Sequence, residues 1–423
     1  MEKYFPQAAF AGRRVHLGVT GSISAYKALD LLRALYKAGL RVSVGLTEAG
    51  SRFVSPLSFK TLGAERVYNG MFPAAVARNG GAGELSAGID LGEGFDPIGH
   101  LTPGAWADAF IIYPASATTL ARITSGMADE MLAAQALAFP KPLLLAPAMN
   151  PRMWQNPATQ ENCATLRRRG HIILEPEAGR VACNEEGQGK LVDLRIAYLA
   201  VLAALSEQDF AGRKLMLTMG PTREQWDGVR FWSNPSTGVM GAAFAVAASL
   251  RGAEVHAICG PGCPWLPPAI KRYDILSSRE MNAQAQALWP EMDYGIFTAA
   301  VADFYPEPFG ESKFKKSEAV DGFSISFRPG PDILAGLGRQ KAAGQKIVGF
   351  AAETSDLQTS VRKKLVAKNA DLLVGNLIGV EDSGFAGSQN QVFVADRQGR
   401  EESWQVMPKA EVAWRVLDWL LRL

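Results

Sequence analysis

The sequence predicts an α/β protein of two tandem domains, each built on a mainly parallel sheet. Three observations support this fold class. The chain has 423 residues, about twice the size of one ordinary core. Strand patterns alternate with helical patterns along most of its length, as in parallel sheets covered on both faces. The strand, glycine turn and helix of residues 13–47 recur at residues 212–261, so we expect domains of residues 1–206 and 207–423.

The first domain opens on a strand, a glycine turn and an amphipathic helix. The turn is Gly21-Ser22-Ile23, Ser24 is the predicted N-cap of the helix, and Gly39 stands just beyond its end. Two later apolar strands each run into a polar turn, in "DAFIIYPASATT" and "KPLLLAPAMN". Because ligands of such sheets bind at the carboxyl ends of the strands, we expect a ligand site at these turns.

The second domain repeats the pattern and ends on an amphipathic helix, "AEVAWRVLDWLLRL". Its strands are predicted in "KLMLTMGPTRE", "YGIFTAAVADF", "KIVGFAAET", "ADLLVGN" and "NQVFVAD". The polar ends "MGPTRE", "TAAVAD" and "FAAET" fall where a second ligand site is expected.

Composition excludes several classes of function. The formal net charge is +2, so no broad basic surface points to a nucleic acid partner. No apolar run reaches the length of a membrane span, and the first residues lack the apolar core of a secretory signal. The four cysteines are too few for a disulfide framework, which favours a reducing cytoplasm. The pair in "CGPGC" has no second pair that would indicate a metal site.

Two turns of the first domain suit a phosphate. The turn from Gly21 to Ser24 presents backbone N–H groups at the start of a helix, where the helix dipole favours an anion. The turn from Ser116 to Thr119 offers hydroxyl and N–H groups after a second strand. Together they indicate a mononucleotide cofactor, and ordinary strand–helix turns without a ligand are the alternative.

Three more residues of this domain are candidate catalytic groups, each with a structural alternative. His100 is one of four histidines, and its alternative is a surface position. Asn150 ends "APAMN", and its alternative is a helix cap. Cys183 lies in the glycine-rich stretch "EAGRVACNEEGQGK", where a plain loop thiol is the alternative. Residues 71–100 show no clear period and read as a long insertion, either a lid or a disordered loop.

The motifs of this domain resemble those of the flavin-dependent cysteine decarboxylases. The segments "GSISAYK", "PASATT", "GMADEML", "PAMNPRMW" and "ACNEEGQGKL" occur in that family's order over residues 13–195. The resemblance implies a Rossmann-like flavoprotein in which His100 is catalytic, Asn150 holds the substrate carboxylate and Cys183 donates a proton from a lid. It also implies that FMN is bound by Gly21, Ser22, Ile23, Thr47, Ser116, Thr118, Thr119 and Met127.

The chemistry of such a decarboxylase needs these residue types. Loss of CO2 from a cysteine amide requires an electron sink, which a flavin supplies by oxidising the thiol side chain. A thiol with an ordinary pKa of about 8.5 is neutral at physiological pH and can return a proton. The sequence departs from the family at Thr118, where asparagine is usual, and in the run after His100.

Lysines of the second domain suit a triphosphate. Lys313, Lys315 and Lys316 lie in "ESKFKKSEA", and Lys364 and Lys368 stand four residues apart, so they share a helix face. A solvated, charged helix face is the alternative. Asp303 is placed to fix a base, a sugar or a metal ion, with a buried salt bridge as the alternative.

The second domain resembles the phosphopantothenate–cysteine ligases. The segments "TMGPTREQWDGVRFWSNPSTGVMGAAFA", "TAAVADF", "SKFKK", "PDILAGL", "VGFAAET" and "KNADLLVGN" appear in family order over residues 212–423. The implied reaction uses CTP to form an acyl-cytidylate, from which the cysteine amine displaces CMP. Mg2+ is expected because displacement at a phosphate needs its charge neutralised. Val239 stands where the family usually shows lysine.

By position, the resemblance implies a role for individual residues of this domain. Asn234 and Arg230 contact the activated acid, and Lys313 assists the charged transition states. The residues implied to surround CTP are Phe297, Thr298, Ala299, Asp303, Lys313, Pro331, Asp332, Ile333, Leu334, Phe350, Lys364 and Lys368.

Fusion of the two halves implies a bifunctional enzyme of coenzyme A synthesis with small-molecule substrates. The ligase acts first, on 4′-phosphopantothenate and cysteine, and the decarboxylase then yields 4′-phosphopantetheine. The resemblance further implies decarboxylase trimers and ligase dimers that combine into a dodecamer. The alternatives are a flavoprotein that serves as a regulatory subunit and a decarboxylase of peptides ending in cysteine.

Overall fold

A computed structural model describes residues 2–71, 96–180, 184–315, 322–353, 355–377 and 387–423 of the chain. The chain divides into two compact units, of which one is Phe10–Ser206 and the other is Glu207–Leu423 together with Met1–Ala9. The residues ahead of Phe10 thus group with the C-terminal unit, although residues 1–206 were expected to form one domain. Among the described residues, no helix is both long enough and apolar enough to cross a membrane.

The N-terminal unit is built on a six-stranded sheet in which every neighbouring pair is parallel. The strand order is β3-β2-β1-β4-β5-β6, and a separate antiparallel hairpin is formed by β7 and β8. All seven residues of β4 are buried, as expected for a central strand covered on both faces. The strands are β1 (Arg14–Val19), β2 (Arg41–Leu46), β3 (Arg66–Tyr68), β4 (Ala109–Ala115), β5 (Leu143–Pro147), β6 (Ile172–Ile173), β7 (Glu177–Arg180) and β8 (Glu186–Lys190).

The helices of this unit follow the strands, as the alternating pattern predicts. They are α1 (Lys27–Lys37), α2 (Glu48–Phe53), α3 (Pro56–Thr61), α4 (Thr102–Trp106), α5 (Ala117–Ser125), α6 (Met131–Ala138), α7 (Pro151–Gln155), α8 (Pro157–Arg168) and α9 (Leu194–Leu205), with short 3-10 turns at Ala8–Phe10 and Ile23–Tyr26.

The start of the first helix differs from the prediction. Ser24 was expected to be the N-cap, but the hydroxyl of Ser22 caps the 3-10 turn by accepting the N–H of Ser24 at 3.2 Å. The α-helix itself begins at Lys27, because the tighter 3-10 turn precedes it. The end is as predicted, since Gly39 lies beyond the helix with a φ of 79°, a conformation that favours glycine.

The C-terminal unit has an eight-stranded sheet of order β13-β12-β9-β14-β17-β18-β19-β20. Its first six strands in this order are parallel, and β19 and β20 add two antiparallel strands at one edge, so the prediction of mainly parallel sheets is confirmed. The strands are β9 (Lys214–Met219), β10 (Arg223–Gln225), β11 (Phe231–Ser233), β12 (Glu254–Cys259), β13 (Lys271–Asp274), β14 (Tyr294–Phe297), β15 (Phe304–Pro306), β16 (Phe327–Pro329), β17 (Lys346–Glu353), β18 (Leu372–Leu377), β19 (Gln389–Asp396) and β20 (Glu401–Pro408).

The helices of the C-terminal unit cover this sheet, and two short hairpins, β10–β11 and β15–β16, stand apart from it. A core cluster with the fully buried Met281, Leu337 and Val361 joins three of the helices to the sheet. The helices are α10 (Val239–Leu250), α11 (Ser278–Leu288), α12 (Ile333–Gln340), α13 (Leu357–Ala367) and α14 (Lys409–Leu420), with a 3-10 turn at Trp289–Glu291.

A buried histidine gives the N-terminal unit a pH-dependent stability. His16 on β1 is fully buried, with Nδ1 2.8 Å from the hydroxyl of Ser43 and Nε2 3.0 Å from Oε1 of Gln135. Burial lowers the pKa of His16 from 6.5 to about 4, although the hydrogen bond to Gln135 opposes the shift. The folded unit therefore binds this proton less readily than the unfolded chain does.

We expect His16 to stabilise the fold fully above pH 6.5 and to lose this contribution as the pH falls towards about 4. The loss is about 3 kcal/mol, because the pKa falls from 6.5 to about 4 and each tenfold change in proton affinity is worth about 1.4 kcal/mol. Urea unfolding of the wild type and of His16→Gln at pH 7.5 and pH 4.5 measures it. The wild type should lose more stability than the variant on acidification, and an equal loss in both would contradict the prediction.

Candidate functional sites

The carboxyl edge of the N-terminal sheet carries a series of helix starts with polar caps. Each cap has a side-chain oxygen that accepts a backbone N–H from the first turn of the helix, which leaves the other N–H groups of that turn for a ligand. The caps are Ser22 to Ser24 at 3.2 Å, Thr47 to Gly50 at 3.0 Å, Ser116 to Thr119 at 3.3 Å and Asn150 to Arg152 at 2.8 Å.

These turns surround a cavity of about 880 Å³, a volume within the range of cofactor sites. Among the described residues, the charged side chains that line it are five cations and two carboxylates, so its net charge is positive: Lys27, Arg52, Arg122, Arg180, Lys190, Glu48 and Glu130. Capped helix starts with nearby cations fit the phosphate of a mononucleotide such as FMN. The predicted residues that line this cavity are Gly21, Ser22, Ile23, Thr47, Ser116, Thr118, Thr119 and Asn150.

Three predicted residues of the N-terminal site are not placed in this cavity. Met127 follows Gly126, whose positive φ of 69° ends α5, and its N–H returns to the carbonyl of Arg122 at 2.9 Å. His100 is half-buried in the turn before α4 and does not line the cavity within one chain. Cys183 lies outside the described residues.

The hairpin β7–β8 is docked against the turn that carries Asn150. The carbonyl of Gly189 on β8 accepts the N–H of Met149 at 3.0 Å, and a Cβ on Gly189 would stand 2.4 Å from the carbonyl oxygen of Met149. Only glycine allows this approach, because the φ of Gly189 is also 155°. The strands that flank residues 181–183 therefore have a fixed register against the Asn150 turn.

Asn150 is both a helix cap and a cavity residue, so its two interpretations are compatible. Its Oδ1 is used by the cap, which leaves Nδ2 as the donor end of the amide. Nδ2 donates to the carboxylate of Glu185 at 3.0 Å, and Arg152 pairs with the same carboxylate at 3.2 Å. An amide N–H that already binds one carboxylate has the chemistry to bind the carboxylate of a substrate.

The C-terminal unit has a cavity of about 540 Å³ at the carboxyl ends of β9, β14, β17 and β18. Val239, at the start of α10, also lines it. The predicted residues that line this cavity are Asn234, Phe297, Thr298, Ala299, Asp303, Pro331, Asp332, Ile333, Leu334, Phe350, Lys364 and Lys368.

Both lysines of the shared helix face are bound to carboxylates. Lys364 donates to Glu353 at 2.7 Å, and Lys368 donates to Asp332. Burial alone would raise the pKa of Glu353, but hydrogen bonds from Lys364 and Ser360 outweigh it and hold the pKa below its usual value. The pKa of Asp332 is lowered in the same way, against burial, by Lys368 and the N–H of Ala335. Both carboxylates are thus kept ionised.

Asn234 is held in the opposite wall of the cavity. Its Nδ2 donates to the carbonyl of Val301 at 3.0 Å and to that of Ala300 at 3.4 Å. The nearby helix α10 approaches the sheet closely, since a Cβ on Gly241 would stand 2.2 Å from the Cβ of Met219. This close packing brings the start of α10 to the end of β9.

Arg230 and Lys313 are not placed in this cavity, although both were predicted for the site. Arg230 binds the buried carboxylate of Asp227 at 2.6 Å and the carbonyl of Phe314 at 3.3 Å. Burial would raise the pKa of Asp227, but the N–H groups of Arg230, Val229 and Phe314 and the guanidinium lower it to about 2. Asp227 therefore fastens Arg230 to the segment of Lys313, away from the cavity walls.

Among the residues of the C-terminal cavity that the sequence analysis did not name, some are contributed by its last strands and last helix. Asn376 near the end of β18, Asn390 on β19 and Lys409 at the start of α14 all line the C-terminal cavity. Burial lowers the pKa of Lys409 to about 8. The signal for Asn376 was present, because it is a polar residue at the carboxyl end of a predicted strand.

Metal ligation has little support in the described part of the chain. No group of three or more His, Cys, Asp or Glu side chains there could hold a metal ion. Cys259 and Cys263 of "CGPGC" are free thiols that donate to backbone carbonyls, of Ala257 at 3.5 Å and of Met219 at 3.4 Å.

Two family models together match nearly the whole chain. The flavoprotein model matches residues 7–200, and the model of the DNA/pantothenate metabolism flavoprotein C-terminal domain matches residues 210–423. The chain is 36% identical to the coenzyme A biosynthesis bifunctional protein CoaBC of Vibrio vulnificus over 413 residues, which is 96% of this chain and 97% of that protein.

Similar values hold for a second relative. The CoaBC protein of Bacillus subtilis is 36% identical over 415 residues, with 96% of each chain covered. A solved structure of the C-terminal domain of a CoaBC protein is 32% identical to this chain, of which it covers 51%, with 96% of its own chain covered and a TM-score of 0.43.

Proposed function

This chain belongs to the family of coenzyme A biosynthesis bifunctional proteins, and on that premise we propose which of its residues carry the two reactions. It is a phosphopantothenoylcysteine decarboxylase and a phosphopantothenate–cysteine ligase, with a flavoprotein domain for FMN. We assign the decarboxylase to residues 1–206 and the ligase to residues 207–423. The observation that carries the assignment is the pair of cavities, each lined by residues predicted for its own reaction.

The ligase reaction proceeds in two displacements. The carboxylate of 4′-phosphopantothenate attacks the α-phosphate of CTP, and pyrophosphate leaves with the electron pair of the broken P–O bond. The amine of cysteine then attacks the acyl carbon, and CMP leaves as the amide forms. Mg2+, if bound with CTP, would neutralise part of the charge of the triphosphate.

The residues of the C-terminal cavity supply binding and charge for these steps. Lys364 and Lys368 exchange their carboxylate partners for oxygens of the triphosphate, which one bound molecule presents to both ammonium groups. Asn234 holds the acid end of the substrate from the opposite wall. Arg230 and Lys313 do not line the cavity of one chain, so their roles in the reaction stay predictions from the resemblance.

In the decarboxylase, FMN when bound would supply the electron sink that loss of CO2 requires. The capped turns of Ser22, Thr47 and Ser116 hold the phosphate of the flavin with backbone N–H groups. Nδ2 of Asn150 leaves Glu185 and donates to the carboxylate that will be lost. Cys183, between β7 and β8, is the proton donor and stays a prediction.

Homo-oligomers complete both sites in this proposal. His100 lies outside the cavity of its own chain, and we assign it to the cavity of a neighbouring copy in a decarboxylase trimer.

On the ligase unit, the hairpins expose large apolar side chains, a composition typical of interaction surfaces, and we assign this face to a ligase dimer. The exposed residues are Val229 at 59%, Phe231 at 44%, Trp232 at 54%, Phe304 at 53% and Phe327 at 38%. Threefold and twofold contacts combine into a dodecamer, which a native mass measurement tests.

Co-expression of His100→Asn and Asn150→Asp chains tests the shared decarboxylase site. Each variant alone should release CO2 far more slowly than the wild type, because each lacks one half of every site. Random mixed trimers contain intact sites in about a quarter of positions, so roughly a quarter of wild-type turnover should return. Turnover no higher than the sum of the two separate variants would place His100 and Asn150 in the same chain's site.

The proposed function is tested by supplying 4′-phosphopantothenate, cysteine, CTP and Mg2+ to the purified protein. Pyrophosphate and CMP should appear with the cysteine adduct, followed by CO2 and 4′-phosphopantetheine. A flavoprotein that is only a regulatory subunit would give no CO2 from the adduct. A decarboxylase of peptides would turn over a peptide ending in cysteine faster than the adduct. A colourless protein that takes up no added FMN would exclude the decarboxylase.

A further inference from the structure

A lysine that the sequence analysis did not single out lies in the wall of the C-terminal cavity. Lys409 is the first residue of α14, and only 3% of its surface is exposed. It lines the cavity together with Asn376, Asn390, Lys364 and Lys368. Lysine is seldom buried to this degree, and its position in a ligand cavity makes Lys409 a candidate for contact with an anionic ligand.

The topology of the sheet brings Lys409 to the ligand. β18 is parallel to the strands before it and ends at the ligand-binding edge; β19 runs back from this edge, and β20 returns to it. α14 therefore begins at this edge, where the N–H of Lys409 donates to the carbonyl of Ser388 at 3.0 Å. α14 packs along α10, whose first residues, Val239 and Met240, line the same cavity.

The charge balance of the cavity depends on Lys409. Among the described residues that line it, the charged ones are Asp303, Asp332, Lys364, Lys368 and Lys409. Glu353 adds a third carboxylate through its hydrogen bond with Lys364. Three lysines thus balance three carboxylates, and without Lys409 the set would be net negative. A net negative cavity would repel the phosphates that both ligase substrates carry.

We propose that Lys409 is a binding residue of the ligase site whose ammonium group contacts a phosphate of a bound substrate. The inference rests on the proposed ligase function and deepens it. Two substrates carry this chemistry, since CTP has a triphosphate and 4′-phosphopantothenate has a terminal phosphate. The side chain of Lys409 is buried at the start of α14, so its ammonium group binds a phosphate with little loss of side-chain freedom.

The test compares ligands that differ only in their phosphates. The dissociation constants of CTP, cytidine, 4′-phosphopantothenate and pantothenate are measured on the full-length wild type and on Lys409→Met, each ligand added alone so that no turnover occurs. The variant should bind one of the phosphorylated ligands about 10- to 100-fold more weakly, the range for one charge-assisted hydrogen bond. Cytidine and pantothenate should bind both proteins equally.

The pattern identifies the source of the phosphate. Weakened CTP with unchanged 4′-phosphopantothenate assigns Lys409 to the triphosphate, and the reverse pattern assigns it to the acid substrate. Lys409→Arg, which keeps the charge, should restore most of the affinity. Unchanged affinity for both phosphorylated ligands, or an equal loss for CTP and cytidine, would overturn the proposal.

Two controls test whether Lys409→Met changes only the binding of phosphate and leaves the rest of the protein intact. Release of CO2 by the decarboxylase unit should be unchanged in Lys409→Met, and Lys363→Met, an exposed lysine that does not line the cavity, should bind every ligand as the wild type does. If Lys409→Met does not fold, Lys409→Gln takes its place in the same comparison. If the wild type itself binds neither phosphorylated ligand, the ligase function fails, and the proposal for Lys409 fails with it.

Discussion

Asn150→Asp should reduce the kcat/KM for decarboxylation of 4′-phospho-N-pantothenoylcysteine by at least about 100-fold, from the loss of a charge-assisted hydrogen bond and the addition of repulsion. The substitution replaces the donor Nδ2 with a carboxylate oxygen, which would face the carboxylate of the substrate. Asp is as good an N-cap as Asn, so the bond to the N–H of Arg152 should persist and α7 should stay folded. Ligase turnover serves as an internal measure of intact protein.

The chain offers a matched control six residues away. Asn156 caps α8 as Asn150 caps α7, with Oδ1 accepting the N–H of Ala158 at 3.0 Å, and both caps are followed by proline. Asn156 does not line the cavity, so Asn156→Asp should decarboxylate at the wild-type rate. Equal rates in the two variants would return Asn150 to a purely structural role.

Lys364→Met should raise the KM for CTP about 10- to 100-fold, as the loss of one charge-assisted hydrogen bond would. The variant loses a phosphate contact and also frees the carboxylate of Glu353, which then repels the triphosphate. Initial rates of pyrophosphate release at varied CTP concentration measure the effect. The KM for cysteine should change much less.

Lys363→Met is the control for helix α13, because Lys363 is exposed on the same helix and does not line the cavity. It removes the same charge from the protein as Lys364→Met does. If both variants raise the KM for CTP equally, the lysines act through net charge and not through contact with the triphosphate.

The rule that predicts part of the cavity walls is local. A polar turn directly after a buried strand lies at the carboxyl edge wherever the sheet is parallel, and the turns of Ser116 and Asn150 line the N-terminal cavity as this rule predicts. Thr47 and Phe297 also line their cavities, but only the family resemblance implied them. Lys364 on α13 and Lys368, which caps the C-terminus of that helix, both line the C-terminal cavity, in agreement with their four-residue spacing.

Other features depend on contacts that no local pattern carries. Arg230 binds the buried carboxylate of Asp227 and does not line the cavity, and the local sequence pattern does not reveal this contact. Lys409 reaches the cavity only because two antiparallel strands end the sheet and return the chain to the ligand edge. Ser24 was the predicted cap, but Ser22 is the observed one, because a 3-10 turn precedes the first helix. The spacing of the apolar residues does not reveal this turn.

The pairing of Lys364 with Glu353 and of Lys368 with Asp332 has a consequence for discrimination between anions. A lone orthophosphate or sulfate must displace a carboxylate for each lysine that it engages, and it gains little by the exchange. A triphosphate can reach both ammonium groups with one molecule, so the second exchange follows at a high effective concentration. The ion pairs therefore lower the affinity for small anions more than the affinity for a triphosphate, and the abundant small anions of a cell compete poorly for the site.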